Sequence, residues 1–156
     1  MAKNIGYGEH IDKLLKIGTA LSAERNLDKL LEMILDYARE FTRSDAGTLY
    51  LVVEETQELK FEIAHNDTLG SRLGGMSGNV VNIPPVPLKV SGKDNVANVS
   101  AYVGNTGKLV NIPDVYEADG FDFTGPRKYD EMTGYRTRSM MCVPMRNHEG
   151  EIIGVL

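Results

Sequence analysis

With 156 residues, 42% apolar and 25% charged, and a net charge of −5, the chain has the composition of one soluble domain, long enough to bury about two thirds of its surface. The acidic balance excludes a non-specific binder of nucleic acid or anionic membrane, which needs a basic surface; a small anion at a helix N-terminus remains possible chemistry. One cysteine, Cys142, excludes an internal disulfide and a cysteine zinc cluster. The opening MAKNIGYGEH lacks a secretory apolar run, and no stretch reaches the ~20 apolar residues of a membrane span, so a cytoplasmic location is expected.

Ile11, Leu14, Leu15, Gly18 and Leu21 follow the spacing of one helix face, and this helix should fade between Ser22 and Arg25. Asn26 is a good cap for a second helix, with Asp28 in its first turn and a face of Leu27, Leu30, Leu31, Ile34, Leu35, Ala38 and Phe41. From Ala46 the period becomes two. Leu49, Leu51 and Val53 form one run, Glu54 to Glu58 a polar turn, and Leu59, Phe61 and Ile63 a second run, which together predict a β-hairpin.

Ser71 to Lys93 carries Gly74, Gly75, Gly78, Gly92, Pro84, Pro85 and Pro87, so it reads as a long loop, with a short strand near Val86 to Val90. NVSAYVGN, from Asn98 to Asn105, predicts a short helix ended by Gly107, and Leu109 to Ile112 a buried strand closed by Pro113. Asp114 to Gly125 is polar and aromatic, anchored by Phe121 and Phe123; Pro126 opens a short helix through Met132. Met140, Cys142 and Val143 then suit a strand central to the sheet, with Pro144 marking its end or a bulge. NHEG makes a turn, and EIIGVL begins a last strand. Strands joined mostly by tight turns favour an antiparallel α+β sheet over βαβ units.

NTGKLVNIPDVYEADGF followed by YDEMTGYRTRSMMCVPM resembles the GAF domains of cyclic-nucleotide phosphodiesterases and cyclases, small sensor domains of signalling proteins. HNDTLG before a Gly/Pro loop, NVSAYV after it and NHEGEIIGVL at the end look most similar to bacterial GAF domains fused to HD-GYP phosphohydrolases. The resemblance spans nearly the whole chain. It implies a central antiparallel sheet with the N-terminal helices on one face, and short helices plus a long loop enclosing a ligand pocket on the other. It further implies a homodimer through terminal helices and a covalently linked output domain such as a cyclic-di-GMP phosphodiesterase. Residues 1–156 would then be a single GAF sensor that stops before the family's last helix. The Asn-Lys, Phe and Asp-Glu signature of the cyclic-nucleotide-binding class would also lie beyond residue 156.

Carried over residue by residue, the resemblance places Asp130, Thr133 and Thr137 at the ligand, a cyclic nucleotide or other purine-like small molecule. A carboxylate and two hydroxyls could read the polar edge of a base; the same residues also cap helices and stabilise turns. Val99, Ser100 and Ala101 open the short helix where the family holds phosphate, although Asn98 or Ser100 could simply cap it. Thr48 matches a polar contact position. Ala64 and His65 align with an aromatic-acid pair of a cyclic-GMP-binding relative, a pair this chain lacks. His65 stays a candidate contact against the plainer reading of a core or surface histidine. Tyr116 suits ring stacking, while Arg136 and Arg138 fall opposite Thr137 and should be solvated or paired with acids.

Cys142 in a strand reads as a buried inert thiol rather than a redox centre. His10, His65 and His148 show no metal spacing relative to one another, and no nucleophile–base pair or phosphate-binding glycine motif is present. Neither a metal nor catalysis is therefore expected of this segment. The other reading is a ligand-free GAF module that serves as a dimerisation platform.

Overall fold

The computed structural model describes residues 6–156; the opening residues in which no secretory run was found lie partly outside that range. Its elements, in order, are α1 (Gly6–Ala23), α2 (Leu27–Thr42), β1 (Ala46–Val53), β2 (Glu58–Asn66), β3 (Ser71–Gly74) with a 3-10 turn (Gly75–Ser77), β4 (Val86–Pro87), β5 (Lys89–Val90), β6 (Lys93–Asp94), α3 (Val99–Thr106), β7 (Val110–Ile112), α4 (Thr124–Thr133), β8 (Met140–Cys142), β9 (Pro144–Arg146) and β10 (Ile152–Val155). The main antiparallel sheet runs β3-β2-β1-β10-β9, with β4 also on β2; β5-β6 and β7-β8 are separate ribbons. This is the α+β architecture expected. No helix among the described residues is long and apolar enough to cross a membrane.

Capping sets α2. The Asn26 side chain accepts from Lys29 N at 2.9 Å, and Arg43 leaves the helix in the left-handed region at φ 57°. Leu31 and Leu35 then meet Leu49 and Ile63 on one face of the sheet. The other face carries the larger cluster, in which Leu59, Val99, Ala101, Val103, Val115, Phe123, Cys142 and Val155 pack beneath α3 and the 107–139 segment.

A β-bulge decides which residues reach which face. Leu49 pairs with Ile63 but Tyr50 with Phe61, so Glu62 is the extra residue in β2. Leu59 therefore joins the α3-side cluster, and Phe61 meets the Tyr50 ring at 4.5 Å. Beyond the bulge, Ile63 joins Leu31 and Leu35, and His65 meets Asp36 of α2. The simple alternation of Leu59, Phe61 and Ile63 on one side fails at Glu62, because one inserted residue reverses every later side chain.

Two expectations are corrected. Met140 to Cys142 is not central: β8 pairs only with β7, while β1 lies at the middle of the sheet between β2 and β10. The Pro144 signal holds, since β8 ends at Cys142 and Pro144 opens β9, where no ladder bond is needed from its nitrogen. The long loop is not wholly irregular, because its first residues pair with β2 as β3 and residues 89–94 form a hairpin. On α1, the predicted face is uncovered, with Ile11, Leu14 and Leu15 exposed at 55, 53 and 64%. The side of α1 that is partly covered runs instead through Lys13, Ile17, Ala20 and Leu21.

Candidate functional site

On the α3 face, Asp130 is the focus. Placed late in α4 and 5% exposed, its carboxylate accepts from the Tyr116 hydroxyl at 2.9 Å, from Thr137 N at 2.8 Å and from Thr137 Oγ1 at 2.7 Å. Buried carboxylates require such donors, and hydrogen bonds to a charged group are among the stronger ones. Gly134 creates the arrangement by ending α4 at φ 72°, which turns the chain back so that Thr137 meets its own helix. Accepting the Tyr116 proton holds that phenol above its ordinary range, the Asp130 hydrogen bond being the main cause.

Tyr116 is also a stacking surface. The Arg136 guanidinium lies 3.5 Å from its ring centroid and Arg127 5.3 Å from it. Arg136 and Arg138 approach Asp114 at 3.5 and 3.9 Å, the acid pairing expected of them. Tyr135, which sequence reasoning passed over, donates its hydroxyl to Asp45 at 2.9 Å. This ties the turn after α4 to the start of β1, and burial with the Asp45 contact pushes the phenol up to about 12.

The helix terminus is self-capped. Asn98 Oδ1 accepts from Ala101 N at 3.1 Å and from Ser100 Oγ at 2.7 Å. Of the two capping options Asn98 is the one used, with Ser100 donating to it, while the amides of Val99 and Ser100 meet no acceptor among the described residues. Tyr50, projecting from β1 toward this end of α3, has its phenol raised chiefly by burial, with the Cys142 thiol adding to the shift and the Ser100 hydroxyl opposing it. Burial pushes the Cys142 thiol up to about 12, which leaves almost no thiolate near neutrality.

The sequence candidates therefore divide. Asp130, Thr137 and Tyr116 meet directly. Thr48, one step from Tyr50 along the same face of β1, and the Val99–Ala101 turn share the α3 side of the sheet with them. Thr133 does not join: it is exposed, and its hydroxyl donates to Tyr129 O at 2.7 Å as an ordinary last-turn contact. His65 is on the other side of the sheet, 2% exposed, with Nδ1 3.1 Å from Asp36 Oδ1. The bulge at Glu62 is what sends it there.

The signature of the GAF domain matches residues 26–156. The chain belongs to the GAF family. It is 31% identical over 153 residues to a dual 3',5'-cyclic-AMP and -GMP phosphodiesterase 11A from Takifugu rubripes, covering 94% of this chain and 15% of that protein. It is 37% identical over 57 residues to dual phosphodiesterase 11 of Drosophila melanogaster, covering 36% of this chain and 4% of that protein. The chain thus spans a small part of the relatives' length. Among solved structures, the GAF domain of a Coxiella burnetii phosphoenolpyruvate-protein phosphotransferase matches with a TM-score of 0.66 and 16% identity, covering 93% of this chain and 73% of that one. A Neisseria meningitidis free methionine-R-sulfoxide reductase, solved with its substrate, matches at 0.60 and 17%, covering 91% and 67%. At these identities the structures establish the fold, a GAF domain with an antiparallel sheet between helices.

Proposed function

We propose that this GAF domain is the regulatory sensor of a bacterial signalling protein. It would bind a cyclic nucleotide or similar purine-like molecule on the α3 side of the sheet and control a linked output domain, such as an HD-GYP phosphohydrolase acting on cyclic-di-GMP. The observation that carries this reading is Asp130, a buried carboxylate that gathers the Tyr116 hydroxyl and the amide and hydroxyl of Thr137. A base edge presenting N–H donors would compete for its oxygens, and Thr48 and the Val99–Ala101 turn would supply further contacts. The free amides of Val99 and Ser100 suit a phosphate. The similarity to cyclic-nucleotide phosphodiesterases supports the same ligand class. Redox chemistry on Cys142 is disfavoured, since its thiol is buried and held protonated.

Calorimetric titration with cyclic AMP, cyclic GMP, their linear monophosphates and free purines tests the proposal. A saturable signal lost in Thr137→Val and weakened in Thr48→Val is expected. No heat from any of them would sink it.

A second reading, a ligand-free dimerisation platform, is favoured by two observations. The interior beneath α3 is filled by Leu59, Val103, Val115, Phe123, Cys142 and Val155. The Ile11, Leu14 and Leu15 face of α1 is uncovered in the single chain. Sedimentation of Leu14→Glu separates the readings: a dimer that falls apart while the purine titration stays silent selects the platform.

A further inference from the structure

The α2 face carries a cluster that the ligand reading does not use. Glu32 and Asp36, one turn apart on α2, meet His65 of β2, and one donor atom from each residue lies within 4.8 Å of the other two. His65 is 2% exposed. Its Nδ1 contacts Asp36 Oδ1 at 3.1 Å. A carboxylate offers only lone pairs, so the proton of that contact sits on Nδ1, and in the neutral ring the lone pair is then on Nε2. That Nε2 is buried without a hydrogen-bond partner, and Glu32 Oε1 is 3.7 Å away.

Two lone-pair atoms thus stand near each other in the interior. The separation is too long for a hydrogen bond, whose N···O distance is about 2.9 Å. It is near what a shared metal ion needs: bonds of about 2.1 Å to imidazole nitrogen and carboxylate oxygen at the tetrahedral angle put the two ligands roughly 3.4 Å apart, which a small turn of the Glu32 side chain supplies. The carboxylate on Nδ1 is the usual partner of a metal-binding histidine, since it fixes the tautomer and the ring. Met76 N donates to Glu32 Oε2 at 2.9 Å, which holds the second ligand with Oε1 on the side of His65.

A cation already attends the acids. Arg72 Nη2 lies 3.0 Å from Glu32 Oε1 and 2.6 Å from Asp36 Oδ2, and Arg39 reaches Asp36 Oδ1 at 3.6 Å while holding Asp67 at 2.7 Å. The two arginines differ. Arg39 is 8% exposed and tied to Asp45 O as well, whereas the Arg72 side chain is 44% exposed on the outermost strand, β3.

We propose that Glu32 and His65 bind a divalent transition-metal ion of the zinc class, oriented by Asp36, in exchange for Arg72. The ion is held by His65 Nε2 and Glu32 Oε1, with water on the side Arg72 vacates. Asp36 Oδ2, released by Arg72, adds negative charge to the site. The exchange would free β3 from one of its ties to α2 while keeping the Glu32 contact to Met76.

Zinc titration calorimetry on the purified domain, with His10→Gln and His148→Gln in the background to remove exposed imidazoles, tests the site. Cobalt substitution provides a visible absorption band as a second readout. One ion per chain is expected, bound about tenfold more tightly in Arg72→Gln, where the competing cation is gone. Glu32→Gln keeps the acceptor for Met76 N and should weaken binding at least tenfold; Asp36→Asn should weaken it by ~10-fold or more. Circular dichroism confirms that each variant is folded. Absence of binding in both the parent and Arg72→Gln overturns the proposal. Affinity unchanged in Glu32→Gln does so too, and so does a failure of Arg72→Gln to tighten it.

Discussion

Asp130 and His65 are buried on opposite sides of one sheet, and they solve the same problem differently. Asp130 is served by donors from its own turn and the preceding loop, so all its hydrogen bonds close within residues 116–137. His65 depends on α2, which reaches it from 29 residues away, and only one of its nitrogens is satisfied. The local solution is complete because Gly134 and Thr137 can be adjusted without moving the sheet. The distant one is fixed by how α2 sits on Leu49 and Ile63, and a hydrophobic contact does not place a second carboxylate to hydrogen-bond accuracy. Burial therefore marks both residues as costly in water-free surroundings, but only one of them carries an unmet valence.

The largest effect should come from removing the satisfied group. Asp130→Ala leaves the Thr137 amide and hydroxyl and the Tyr116 hydroxyl without their acceptor in a part-buried turn. A loss of about 3 kcal/mol in urea unfolding is expected. A loss below about 1 kcal/mol would mean water enters the turn freely, and the contrast with His65 would disappear.

Packing on the α2 side gives the next effect. A Cβ at Gly47 would lie 2.8 Å from Cδ and Cγ of Arg39 and 2.9 Å from Leu35 Cδ1. Gly47→Ala should cost about 2 kcal/mol by overpacking. It should also loosen Arg39, the buried guanidinium that anchors Asp67 and Asp45 O. Thr48→Ala, one residue along and on the other face, serves as the control and should change unfolding little.

The order of the helices, the hairpin and the polar turn was legible in the chain, because each rests on local chemistry: Asn26 and Asn98 as caps, Gly107 as a stop, and the period-two runs of β1 and β2. Asp130 and Thr137 were singled out through the family resemblance and Tyr116 for its ring, and they meet because they lie close together in sequence. The placement of His65 was not. Nothing in ELKFEIAHN shows that Glu62 is skipped in the pairing with β1, and a bulge is decided by tertiary fit rather than by the strand's own residues. Arg72 and Glu32 were missed because their partnership spans 40 residues. What covers the Ile11, Leu14 and Leu15 face of α1 was not legible, because periodicity reports an apolar stripe without saying what lies against it.

A third substitution tests the comparison at its weak side. His65→Leu removes the unpartnered Nε2 along with the Nδ1 contact, and Asp36 retains Arg72 at 2.6 Å. Replacing an unsatisfied polar group by an apolar one of similar size is close to neutral, so a change of about 1 kcal/mol or less is expected. A loss as large as that of Asp130→Ala would show that His65 is fully paired in solution.

The smallest effect is acid sensitivity around the same cluster. Arg39 holds the Asp67 carboxyl below its ordinary 3.8, by hydrogen bond first and charge second. A value lower in the folded chain than in the unfolded one means the ionised form favours folding. That contribution is complete above the unfolded value and is lost as pH falls through the folded one, so it fades below about pH 4. Glu24, lowered to about 2 mainly by its hydrogen bond to Lys29, adds a similar loss at lower pH. Asp67 is exposed and Glu24 lies at the surface beside its Lys29 partner, so each contribution is small. Urea midpoints measured from pH 5 to pH 2 should fall, and less steeply in Asp67→Asn. An unchanged slope in that variant would mean Arg39 is held by Asp45 O and Asp36 alone, and that the arginine side of the cluster does not depend on Asp67.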